Sequence, residues 1–232
     1  TPGTLVYECL LDESKANVLG AMRSDGNTVS IATTELSTGT FELHQCATNR
    51  LSDTFERLGL SEVIIGEDEE QLQEHAICCG VAVTQRPAWM FSLDEATSTL
   101  HKQFNVTTVE GFGLTNEDSR IAPAGALLAY LKQTQASGSD LQHLRPPAIK
   151  QESAFVSLDA TTIRSLEVEQ TMKGGTVEGS LLWVMQRCYT AMGKRLLRQW
   201  LCEPLTDKAE IEKRQTVVST FIHNGDLLRE IQ

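Results

Sequence analysis

Glu35 and Glu42 are the first residues to weigh as catalysts, because paired carboxylates can hold two divalent metals about 4 Å apart for phosphoryl chemistry. Such a centre needs a further acid inside the opening strand. Residues 17–22, Asn-Val-Leu-Gly-Ala-Met, are the first strand-like run and carry none. Glu35 falls at the end of the next run and Glu42 inside the third, where both are expected to face solvent or cap turns. The histidines, His44, His75, His101, His143 and His223, form no H-x-x-x-H or H-E-x-x-H pair and read as surface or linker residues. Cys9, Cys46, Cys78, Cys79, Cys188 and Cys202 include no C-x-x-C pair, so they read as reduced thiols rather than zinc ligands. Gly193-Lys194 is the nearest approach to a phosphate-binding loop. Arg195 follows where Ser or Thr is needed, and Cys188 takes the first glycine position. No G-x-S-x-G elbow is present. The residues therefore assign no catalytic, cofactor-binding or metal site. Lys194, Arg195 and Arg198 form a basic cluster, which could meet phosphate but reads more simply as a solvated helix face with internal ion pairs. DNA-contacting residues stay unassigned.

The elements that would position these residues come in two styles. Residues 17–22, Thr28 to Leu36 and Thr40 to Cys46 read as three strands, joined by the turn signals Ser24-Asp25-Gly26-Asn27 and Ser37-Thr38-Gly39. Leu51, Phe55 and Leu58 sit at helical spacing. Glu62 to Gly66 reads as a buried strand, Glu67 to Cys79 as an acid-led helix and Val81 to Val83 as extended chain. Asp94 to Phe104 and Pro123 to Gln135 read as two further helices. A meander followed by alternating helices and strands describes an α/β layer with a mixed sheet, of the ribonuclease H-like kind.

Residues 136–153 break this pattern with Ser137-Gly138-Ser139 and Pro146-Pro147, which is linker chemistry. Beyond them the chain is mainly α. Asp159 is placed to cap a helix running to about Met172, Leu181 opens another, Met192 to Trp200 lines a third, and Asp207 caps a last one. Charge divides similarly. Residues 1–143 hold 20 Asp+Glu against 8 Lys+Arg, a net of −12, while residues 144–232 hold 11 against 12, a net of +1. An acidic surface repels phosphates, so the first part is a poor DNA holder by itself. The domains are therefore set at 1–143 and 144–232. No run of about 18 apolar residues offers a membrane span, and neither a signal peptide nor an initiator Met opens the chain. The expectation is a cytoplasmic, internal segment of a longer polypeptide.

Taken in order, several stretches resemble the MutS family of DNA mismatch repair proteins. Thr1-Pro2-Gly3-Thr4 looks like the boundary after that family's mismatch-binding domain. Leu36 to Phe41 is similar to its meander turn, and Gly111-Phe112-Gly113 with Ala124 to Gln135 resembles the close of its connector domain. Leu141 to Leu144 looks like the exit into its core. Leu158 to Thr162 with Leu166-Glu167, and above all Thr190 to Leu201 with Pro204 to Asp207, resemble the first core helices. Glu35 stands where the family has Asp, and Glu67-Asp68-Glu69-Glu70 is heavier in acid than the family pattern.

The resemblance implies a connector domain over 1–143 and the incomplete start of the core, or lever, domain over 144–232. It implies a structural and interaction module that relays between a mismatch reader and an ATPase and offers a docking surface for MutL. The whole protein would be a homodimer on mismatched double-stranded DNA, using ATP and Mg. This chain carries neither the F-x-E tripeptide of the mismatch reader nor a phosphate-binding loop, so the fragment itself is expected not to be an enzyme. A paralogue acting in recombination, and a ribonuclease H-like metal-dependent nuclease, are the alternatives. Two physical expectations accompany this reading. A hinge at 136–153 would absorb rotation of one unit against the other, and the helical part would expose apolar surface.

Overall fold

β-Branched and apolar residues alternating across two tight turns build the meander that starts the fold: β1 (Val18–Asp25), β2 (Thr28–Glu35) and β3 (Thr40–Ala47). β1–β2 and β2–β3 pair antiparallel in unbroken register, from Val18 opposite Glu35 and from Thr28 opposite Ala47. The computed structural model describes residues 18–134, 141–150, 155, 156, 158 and 160–225. Two compact units are present, Thr1–Lys150 and Gln151–Gln232. The opening Thr1 to Thr4, Cys9, the Ser137-Gly138-Ser139 tract and the Asp159 cap lie outside the described residues.

After the meander, α1 (Leu51–Leu58) leads into β4 (Leu60–Gly66), which pairs parallel to β1. Next, α2 (Glu70–Cys78) leads into β5 (Ala82–Arg86), parallel to β4. Two longer helices follow, α3 (Leu93–Phe104) and α4 (Ile121–Thr134). The strand order is β5-β4-β1-β2-β3-β6, a mixed sheet of the ribonuclease H-like kind with one added edge strand. That strand, β6 (Ala148–Ile149), pairs parallel to β3.

Both sheet faces are covered, and the period of two along each strand separates them. Leu19, Ala21, Ala32 and Ile64 pack with Leu100, Leu127 and Leu131 of α3 and α4. Met22, Ile31, Val63 and Ile65 pack on the other face with Phe55 of α1 and Leu72 of α2. This explains why Val63-Ile64-Ile65 is continuously apolar: a strand buried on both faces has no polar side. Gly125 of α4 sets the closest helix contact. A Cβ there would lie 2.2 Å from the Ala96 Cα of α3.

Several boundaries differ from the sequence reading. Residues 144–150 read as linker and the opening of the helical part, yet they close the first unit. Leu141 and Leu144 are buried in its core, and Lys150 N donates to Leu43 O at 2.8 Å. Two prolines masked this strand, which is short and lies at the sheet edge. Residues 67–69, read as helical, form a turn before α2. In the second unit, α5 (Ala160–Ser165) stops well before Met172. Glu167 takes a positive φ of 50°, Val168 N returns to Ile163 O at 3.1 Å, and Val168 is buried. The chain turns there because Val168 O accepts Leu182 N at 2.9 Å, joining this turn to α6 (Leu181–Met185). Two further helices follow, α7 (Ala191–Cys202) and α8 (Lys208–His223), the latter capped by Asp207 as expected. Among the described residues, no helix is long and apolar enough to cross a membrane.

Candidate functional site at the carboxyl ends of the parallel strands

In open α/β sheets, ligands sit beyond the carboxyl ends of the strands where the strand order reverses. Here that point lies between β1 and β4. The chain places Arg23, Ser24 and Asp25 at the end of β1, and Gly66 followed by Glu67-Asp68-Glu69 at the end of β4. Parallel pairing of Met22 with Ile65 brings the two ends level.

The acids there are held from within. Arg23 Nη1 meets Asp68 Oδ1 at 2.8 Å, and Arg23 Nε meets Glu69 Oε1 at 3.2 Å. Ser24 Oγ donates to the Glu69 carboxylate at 2.6–2.7 Å, and Ser24 N lies 3.2 Å from Glu69 Oε1. The Arg23 guanidinium also lies 5.9 Å from the Phe91 ring centroid. Gly66 leaves room for this arrangement, since a Cβ would stand 2.5 Å from Asp68 Oδ1 and 3.1 Å from Arg23 Nη1. A two-metal centre needs its carboxylates turned toward a cation from solution. Arg23 supplies the cation itself, so the arrangement ties β1 to the turn before α2. Among the described residues, no group of three His, Cys, Asp or Glu is arranged to hold a metal.

The acids weighed from sequence sit elsewhere. Glu35 does cap its turn: its main-chain oxygen accepts Gly39 N at 2.9 Å, and its carboxylate accepts Ser37 Oγ at 2.8 Å and Thr38 Oγ1 at 3.0 Å. Gly39 has a φ of 68°, and a Cβ there would lie 2.2 Å from His143 O, so the turn and the exit segment require glycine. Glu42 is half-buried and bound to Lys150 Nζ at 3.1 Å, an ion pair that depends on the unforeseen β6.

Sequence reasoning missed two buried polar residues. His44 was expected at the surface, but it is buried on β3, with Nε2 3.2 Å from Thr33 Oγ1. Its pKa is lowered to about 3, chiefly by burial and then by the charges of Arg57 and Lys150. Glu42 stands 3.8 Å away, but Lys150 holds it, so burial decides and the imidazole stays neutral. Glu62 of β4 is fully buried. Its Oε1 accepts Tyr130 Oη and Thr84 Oγ1, both at 2.7 Å, joining α4 and β5 to β4. The Arg86 guanidinium lies 4.8 Å over the Tyr130 ring. The one signal for Glu62 was an acid opening an apolar run, which resembles an ordinary strand end.

The basic cluster lies on α7. Thr190 caps that helix by accepting Gly193 N at 3.1 Å, so Gly193-Lys194 belongs to a first helical turn rather than a phosphate loop. Arg198 is ion-paired with Glu169. Cys202 Sγ lies 3.2 Å from the same carboxylate, and burial followed by that negative charge pushes the thiol up to about 12. Arg214 stacks 4.3 Å over Trp200, while Met192 and Leu196 of the same helix are exposed.

Residues 17–145 match the family model of MutS domain II, and residues 161–232 match that of MutS domain III. The chain is 36% identical over 251 aligned residues to the DNA mismatch repair protein MutS of Rhodopirellula baltica. That alignment covers 99% of the chain and 28% of the relative, so the chain spans somewhat over a quarter of the relative's length. A meander-led mixed sheet with domain II pattern, followed by helices with domain III pattern, establishes that this chain belongs to the MutS family.

Proposed function

We propose that this chain is the relay segment of a DNA mismatch repair clamp. In this reading the first unit transmits between mismatch reader and ATPase and offers part of a docking surface for MutL. The parent acts in the cytoplasm as a homodimer on mispaired DNA, with ATP and Mg as its cofactors, and no residue of this chain is assigned to hold them. The observation that carries an interaction role over a nuclease role is the Arg23 ion pair with Asp68 and Glu69, which fills the strand-end position where catalytic metals would need free carboxylates. The acidic balance of the first unit, 20 Asp+Glu against 10 Lys+Arg over residues 1–150, also favours a protein partner over phosphates.

Two measurements test this. Single cysteines placed over the surface of the first unit in the parent clamp are crosslinked to MutL on mismatched DNA, with and without ATP. ATP-dependent capture through this unit is expected; its absence at every position, with a clamp that still slides, would remove the docking role. The isolated chain with Mg²⁺ is expected to leave DNA and RNA intact. Mg²⁺-dependent cleavage lost in an Asp68→Asn, Glu69→Gln variant would install the nuclease reading instead.

A further inference from the structure

Cys78 and Cys79 end α2 side by side, and both thiols are exposed and unbridged. They sit inside a compact helix stop. Cys79 N donates to His75 O at 3.1 Å, Gly80 N to Ile77 O at 2.9 Å and Val81 N to Ala76 O at 3.1 Å. Gly80 has a φ of 75°. The last two bonds form the paired pattern of a Schellman stop, with Val81 and Ala76 packed in one apolar cluster beneath it. β5 begins at the next residue, so this stop sets where the edge strand leaves the helix.

We propose that Cys78 and Cys79 form a two-thiol modification site for low-molecular-weight disulfides, whose closure to a vicinal disulfide releases the stop of α2. In the first step, one cysteine thiolate attacks a sulfur of the small disulfide, forming a mixed disulfide and expelling one small thiolate. The second cysteine, as thiolate, then attacks the protein sulfur of that mixed disulfide and expels the other. Two protein thiols lose two electrons, the small disulfide gains them as two thiols, and the two protons pass from protein thiols to departing thiolates.

The helix opposes this closure in one identifiable place. Neighbouring side chains on a helix diverge by about 100°, whereas a disulfide holds its sulfurs about 2 Å apart. Bringing Sγ78 to Sγ79 therefore requires rotation about the 78–79 link and loss of the Cys79 N bond to His75 O. The site is built so that this rotation stays local. Cys79 has already left helical geometry, with a ψ of 0°, and Ile77 is exposed along with both cysteines. Little apolar surface is uncovered, so the turn can reorganise while Leu72 and Ala76 stay packed.

The test treats the full chain with oxidised glutathione and reads intact mass, peptide maps and amide exchange. Expected is a product lighter by two hydrogens, mapped to the 78–79 peptide, with faster exchange at Cys79, Gly80 and Val81 and unchanged exchange in β1 and β2. Cys78→Ser and Cys79→Ser should each stop at the glutathione adduct, with wild-type exchange in the stop. A wild-type chain that halts at one adduct, carries two, or closes the ring without faster exchange at these amides overturns the proposal.

Discussion

At the scale of single residues, the molecule uses its buried polar groups as ties, and their chemistry dictates how each should fail. Glu62 is fully buried with Tyr130 Oη and Thr84 Oγ1 on one oxygen. Tyr130→Phe removes a donor without changing the ring or its stacking with Arg86, so the cost is mainly that of an under-satisfied buried carboxylate. A loss of about 1–3 kcal/mol is expected, read as a lower urea midpoint at unchanged slope; a variant as stable as the parent would show that Glu62 does not depend on this bond. His44 gives a pH dependence. Its folded pKa of about 3 lies below the ordinary 6.5, so only the unfolded chain takes up its proton between those values. His44 therefore contributes no destabilisation above about pH 6.5, and stability falls as pH drops from there toward 3, by up to about 1.4 kcal/mol per pH unit. Asp118, held low by its hydrogen bonds to Arg120, adds a loss on acidification that sets in only at the ordinary carboxylate range. Comparing wild type with His44→Gln in urea from pH 7 to 5 isolates the histidine. The wild type should lose stability more steeply, and parallel profiles would refute the assignment.

At the scale of elements, the sheet rests on two helical layers, and the tighter contact is α3 against α4. Gly125 stands so close to Ala96 that Gly125→Ala must push the helices apart. Ala is the better helix former by roughly 1 kcal/mol, so a site with space would gain from the change. Here the overpacking cost of about 1–3 kcal/mol should win. Net destabilisation in thermal unfolding is expected, and a stabilised variant would mean that the helices separate freely. This contact also shows what was legible in the sequence. The meander, the buried run Val63-Ile64-Ile65 and the capped last helix were legible because alternation, continuous burial and an Asp cap are local signals. β6 was not legible, since two residues beside Pro146-Pro147 carry no periodicity and form a strand only because β3 offers an open edge. The early end of α5 was hidden similarly: Ile163 and Leu166 keep helical spacing, but Leu166 and Met172 are exposed, and the burial of Val168 beside α6 decides the chain direction. The strand-end site was half legible. The acidic run was visible at once, whereas Arg23 lies 45 residues from Asp68 and only the β1–β4 pairing brings them together.

At the scale of the whole molecule, the two units differ in how completely each buries its own apolar residues. The first encloses its sheet between helices on both faces. In the second, α7 and α8 contain no buried residue, and Trp183, Val184, Met185, Tyr189, Met192 and Leu196 are all exposed within one short stretch of chain. Each large apolar side chain kept out of water is worth roughly 1.5–3 kcal/mol when fully buried. Six such groups close together therefore supply a strong drive to find cover. Net charge offers little resistance there, because residues 151–232 hold 11 Asp+Glu against 10 Lys+Arg and sum to −1, while residues 1–150 hold 20 against 10 and sum to −10. The chain is therefore expected to associate through its second unit at raised concentration. In sedimentation velocity, the apparent mass should rise with loading, and the rise should weaken in a Trp183→Ser, Met192→Ser variant. Amide exchange should be slow in β1 and β2 and fast in α8, since a helix without a buried face is held by little beyond its own hydrogen bonds. A chain that stays monomeric at all concentrations with α8 as protected as the sheet would show that the second unit is complete as it stands. Salt separates the cause, because association driven by apolar cover strengthens in sulfate, whereas one driven by charge weakens.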